Sequence, residues 1–148
     1  MEEKKFNDVV PNKGEKLSGL FSHFSIFFGG LIVPLIFWVI NREKSKFVSF
    51  HSLQALFFHM GYFLYIFIQI FLFLIAGFYE NFIKLQIHDL TNAGYTTISL
   101  MFGGFYAVCL LITLSFWSYS IYMGLQSYKG KIKKYPIIGN IIFKKVYD

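Results

Sequence analysis

The sequence predicts an all-α integral membrane protein with three transmembrane helices and short interfacial helices beside them. Three observations predict it. The chain has 148 residues, is 55% hydrophobic with 20 Phe, and has a mean hydropathy of +0.52. With only 15% charged residues, a soluble domain of this size could not cover that apolar surface. Asp, Glu, Lys and Arg are absent from three long stretches, and the positive charge gathers between and after them. One domain fits the length. We read a polar N-terminal tail at 1–16, a transmembrane helical domain at 17–128 and a basic interfacial tail at 129–148.

The first stretch, Leu17–Asn41, is 25 residues long. A span needs about 20 residues to cross a hydrocarbon core about 30 Å thick, so it can cross once. Gly29-Gly30 and Pro34 interrupt it, and a broken or re-entrant element that keeps the N-terminus inside is the alternative. The second and third stretches, Phe47–Tyr79 and Gly94–Tyr128, contain 33 and 35 residues. As helices they would run about 50 Å, so they must tilt or project past the headgroups.

Positive charge sets orientation. Arg42, Lys44 and Lys46 crowd the turn at 42–46, six lysines follow Tyr128, and segment 80–93 carries only Lys84. The turn and the C-terminus are expected on the cytoplasmic side of a bacterial inner membrane, with 80–93 outside. If the first stretch crosses fully, the N-terminus lies outside. Residues 80–90 read as a surface helix. Residues 133–148 are too short to span and suit a segment resting on an anionic leaflet. No small-residue cleavage site follows the first apolar stretch, so no removable signal peptide is expected.

Placed at 100° intervals, His51, Gln54, Ala55, Tyr62, Tyr65, Gln69 and Ala76 fall near one line of the second helix. Thr97, Gly104, Ala107, Ser115, Ser118, Tyr122 and Gln126 form a comparable band on the third, and Ser18, Ser22 and Ser25 follow each other on the first. Lipid tails are as apolar as Leu, so helices associate through close packing and hydrogen bonds. An unpaired polar group in hydrocarbon is costly. The stripes are therefore expected to face each other or a partner, either as helix packing or as a lined pathway. The candidate interior or partner face comprises His23, Ser25, His51, Gln54, Tyr62, Gln69, Ser115 and Ser118.

Neutral imidazole binds metals and haem, but no carboxylate accompanies His23, His51 or His59 and no i, i+4 pair occurs. We expect no metal or cofactor, with a haem or quinone site as a lesser reading. His88 carries no signal. The membrane stretches hold no Asp or Glu, so neither an oriented base nor an acid cluster is available for catalysis. Coupled transporters also rest on intramembrane carboxylates. We expect no enzyme. Cys109 alone can build neither a disulfide nor a thiolate site within one chain. No base-reading motif accompanies the net charge of +6, and no nucleic acid is expected.

The order of motifs resembles a bacterial family of small membrane proteins of unknown function. They are His23-Phe24-Ser25, Pro34-Leu35-Ile36-Phe37-Trp38, Lys44-Ser45-Lys46-Phe47-Val48, His51, Gln54-Ala55, and Gly130 with Tyr135-Pro136. The family looks like the one that includes the magnetosome proteins MamF and MmsF, which affect crystal maturation. Phe47, Phe50 and Gln54-Ala55 are also similar to an entry motif of the twenty-kilodalton chloroplast inner-envelope import component. The resemblance implies a non-enzymatic membrane component. From the stripes, the missing acids and this likeness we expect an assembly, scaffold or translocation-accessory subunit. Its partners would be the bilayer and another protein or a second copy. A channel or permease-like element lined by the stripes is the alternative.

Overall fold

A computed structural model describes residues 10–28, 30–86 and 92–147. Among them are five α-helices and no strand: α1 Lys13–Phe24, α2 Ile32–Asn41, α3 Lys46–Gln86, α4 Asn92–Tyr128 and α5 Ile138–Tyr147. The chain forms two compact units, one of Met1–Gly61 with Trp117–Asp148 and one of Tyr62–Phe116.

Two helices are long and apolar enough to cross a membrane, Lys46–Tyr79 within α3 and Ser99–Tyr128 within α4. The first stretch is divided, so the third expected span is not a single helix. Asn12 starts α1 by a capping box: its side chain accepts from the Glu15 N–H at 2.9 Å, and Glu15 accepts from the Asn12 N–H at 2.7 Å. A 3-10 turn, Ser25–Phe27, follows α1. Pro34 lies in the first turn of α2, where its missing N–H breaks no helical bond. The break therefore falls before Pro34; Gly29 lies outside the described residues. At 12 and 10 residues, α1 and α2 each fall short of the roughly 20 needed to cross. Lys16 of α1, Lys44 after α2 and Lys129 after α4 border one recess. Residues 13–45 thus depart from one face of this unit and return to it.

Residues 80–86 continue α3 instead of forming a separate surface helix. No Gly or Pro lies between Tyr79 and Gln86 to end it. Residues 87–91, His88 among them, lie outside the described residues.

α4 ends on a Schellman motif. The Gly130 N–H donates to the Ser127 carbonyl at 2.8 Å and the Lys131 N–H to the Gln126 carbonyl at 3.0 Å. Gly130 takes φ +75°, which glycine adopts freely. The chain then turns back along α3 as residues 131–137 and α5. Phe50, Leu53 and Ile142 form a buried cluster, with Trp38, Leu56 and Phe143 packed on it. The tail read as interfacial is thus docked on α3, with Tyr135, Gly139 and Ile142 buried.

In the unit of residues 62–116, the Tyr65 hydroxyl donates to the Cys109 carbonyl at 2.8 Å. Its ring stacks on Phe116 at 5.6 Å, and Phe73 lies 4.0 Å from Tyr106. Most other large side chains there are exposed: Leu64, Phe67, Phe71, Leu74, Leu110 and Leu111. That is the surface expected of helices facing lipid.

Candidate functional site

Most of the fully buried side chains described in the unit of residues 1–61 and 117–148 are polar. Ser22, His23, Ser25, His51, Ser52, Gln54, His59, Ser120 and Ser127 have no exposed surface. Helical spacing brings them together. His51, Gln54 and Ala55 share one face of α3, and α1 approaches closely because Gly19 has no side chain. A Cβ there would collide with the Ser127 hydroxyl and reach the His51 Cβ at 3.5 Å.

Hydrogen-bond directions in this knot follow from its fixed acceptors. A carbonyl only accepts, so His51 Nε2, 3.2 Å from the Lys131 carbonyl, carries the proton. In a neutral ring His51 Nδ1 must then accept, and His23 Nε2 donates to it at 3.2 Å. His23 Nδ1 in turn accepts from the Tyr135 hydroxyl at 3.1 Å. Burial pushes the Tyr135 hydroxyl well above the ordinary tyrosine range, which keeps its proton in place to donate. The result is one directed chain: Tyr135, His23, His51, Lys131 carbonyl.

Gln54 is a clamp. Its Nε2 donates to the Lys133 carbonyl at 3.0 Å, and its Oε1 accepts from the Tyr135 N–H at 2.8 Å. An extended segment with no neighbouring strand thereby gains the two bonds a strand would have supplied. The Ser22 hydroxyl donates to the Ser18 carbonyl at 2.8 Å, so the Ser52 hydroxyl is the donor in the 2.8 Å Ser22–Ser52 bond. Ser120 donates to the His23 carbonyl at 2.8 Å, Ser25 to the Ser22 carbonyl at 2.8 Å, and His59 Nδ1 to the Gly30 carbonyl at 2.9 Å. Among the described residues, three buried side-chain atoms have no hydrogen-bond partner: His59 Nε2, Gln126 Oε1 and Ser127 Oγ. Among the described residues, no three of His, Cys, Asp and Glu gather as a metal site.

The expected residues divide. His23, Ser25, His51 and Gln54 meet in the knot. Tyr62, in the other unit, is buried beside Phe116 at 5.5 Å, and Gln69 is half-buried. Ser115 and Ser118 lie on the exposed side of α4 with Gly104, Ala107 and Tyr122, so the expected band on this helix is not its inner face. The inner face carries Cys109, Ser120, Met123, Gly124 and Ser127. The physical reason is local: the Ser115 hydroxyl donates to its own Leu111 carbonyl at 2.8 Å and needs no neighbour. Of the motif residues, Pro34, Phe47, Ala55 and Tyr135 are buried, Trp38 packs on the Phe50 cluster, and Pro136 is exposed. Sequence reasoning did not single out Ser52 or Ser120, and it had Tyr135 only as a motif position. Their partners lie 30 to 112 residues away, beyond any helical period.

A helical chain with two membrane-length apolar helices and an inward-turned polar knot is a membrane-associated protein held together by its own hydrogen bonds. This chain belongs to the magnetosome magnetite crystal formation protein family, whose model matches residues 14–142. The match does not extend to the chloroplast import component. No curated protein and no solved structure matches the chain significantly.

Proposed function

We propose that the protein is a non-enzymatic assembly subunit of a bacterial inner membrane, built to hold one helical scaffold and present its outer surface to another protein. The observation that carries this reading is the fate of the polar groups. Most of those in the knot bond to one another, to backbone carbonyls of α1, Gly30 and residues 131–133, or to the Tyr135 N–H, which leaves them unavailable to a substrate or an aqueous path. The outer surface is apolar, with small residues set into it. Gly103 and Gly104 have open space where a side chain would stand, and Ala107 is exposed one turn on. Gly inside a helix costs roughly 1 kcal/mol relative to Ala, and no packing within the chain requires it here. Small residues at this spacing let a second helix approach closely.

The family is named for magnetite crystal formation, and an assembly subunit would act there by organising neighbouring membrane proteins. The recess shared by Lys16, Lys44 and Lys129 supports a topology with both chain ends on the cytoplasmic side. α1 and α2 would then enter and return, and α3 and α4 would cross. Crosslinking mass spectrometry in native membranes tests the reading, with contacts expected around Gly103, Gly104 and Ala107. A chain that contacts no other protein and no second copy overturns it. So does water-accessible cysteine labelling along both Gln69 and Ser115, which favours a channel.

A further inference from the structure

Lys16, Lys44, Lys46, Lys129 and Lys131 line a recess of about 640 Å³ in the unit of residues 1–61 and 117–148. They come from three distant parts of the chain: the start of α1, the turn before α3 and the exit from α4. The one carboxylate among the lining residues, Glu15, is held by the Asn12 N–H at 2.7 Å. The Lys46 ammonium donates to the Tyr147 carbonyl at 3.4 Å. Among the described residues the one ion pair is Arg42–Glu43, which lies outside this lining. Among the described residues, folding thus gathers lysines that repel one another and supplies them with no counter-charge of matching size.

We propose that the recess binds the phosphate of an anionic phospholipid headgroup. Two features select a lipid over a free anion. Lys46 is the first residue of the apolar span Lys46–Tyr79, which sets the recess at headgroup level. Pro11, Phe47 and Ile132 line the same recess; apolar walls suit glycerol and the first methylenes of an acyl chain and offer nothing to inorganic phosphate. Ammonium groups bind phosphate as point charges. The phosphate would also join α1, the turn before α3 and the exit of α4 through one bound molecule.

The test uses the full chain in nanodiscs of phosphatidylcholine with a minority of phosphatidylglycerol, reading by native mass spectrometry the anionic lipid retained per chain. Two variants each remove two positive charges: K44Q/K131Q in the recess, and K144Q/K145Q on exposed α5 positions outside it. The K44Q/K131Q variant is expected to retain about tenfold less phosphatidylglycerol, and K144Q/K145Q to change by less than about twofold. Circular dichroism confirms that both variants are folded. Equal losses in the two variants would show diffuse surface attraction and overturn the site. No preference for phosphatidylglycerol in the unsubstituted chain also overturns it. If inorganic phosphate displaces the lipid at millimolar concentration, the recess is a soluble-phosphate site and the lipid assignment fails.

Discussion

Replacing Gln54 by Leu tests the clamp most directly. The side chains are close in size, so the change leaves little cavity and isolates the lost polar contacts. Two bonds disappear, at 3.0 and 2.8 Å, each contributing about 1 kcal/mol net. Lys133 is exposed and its carbonyl can turn to water. Tyr135 is only 3% exposed, and its stranded N–H adds about 1–3 kcal/mol. The expected loss is about 3–5 kcal/mol, a large share of the stability of a small domain. Denaturant unfolding in micelles, followed by near-ultraviolet circular dichroism, measures it. Hydrogen exchange at residues 131–135 should quicken with it. A loss below about 0.5 kcal/mol, within the range of an ordinary surface substitution, with exchange at Tyr135 unchanged, would refute the reasoning.

Gly19→Ala should destabilise by about 1–3 kcal/mol because its Cβ strikes the Ser127 hydroxyl. Adding Ser127→Ala, nearly neutral alone because that hydroxyl has no partner, should recover much of the loss in the same unfolding assay. Ile137 holds φ +67° while 87% exposed. Ile137→Gly should therefore raise the midpoint of thermal unfolding by relieving about 1 kcal/mol of backbone strain. Tyr135→Phe should cost about 1 kcal/mol at neutral pH by removing the donor to His23. Burial raises the folded pKa of this hydroxyl, so its contribution is complete below the unfolded value of about 10 and is lost as pH rises beyond it. Alkaline unfolding of Tyr135→Phe should consequently fall less steeply above about pH 10 than that of the unsubstituted chain.

Hydropathy made α3 and α4 legible, since a run without charges longer than a bilayer is its own signal. The Gly-Gly and Pro interruption marked where the first stretch divides, although Pro34 itself proved compatible with a helix start. The inward face at His51 and Gln54 was readable because amides and imidazoles cannot be satisfied by their own helix. Ser115 and Ser118 were not readable in the same way. A serine hydroxyl can bond the carbonyl four residues back, so its place on a helix says little about what surrounds it. The docking of residues 131–147 on α3 was hidden too. It rests on Gln54 meeting Lys133 and Tyr135 about 80 residues later, and on Phe50 meeting Ile142, pairings that neither period nor propensity encodes. The lysines divide similarly: their number in the turn and tail was plain, while the convergence of Lys16 on them required the fold.

The clamp also sets an order of events in synthesis. Translation delivers Gln54 and His51 to the bilayer long before the backbone groups of residues 131–135 exist to receive them, so the half-made chain carries unquenched polar groups among its apolar helices. Arrival of residues 131–135 is what closes the lock. A premature stop just beyond Tyr128 would leave both long helices intact yet produce a molecule that a membrane protease could recognise as unfinished.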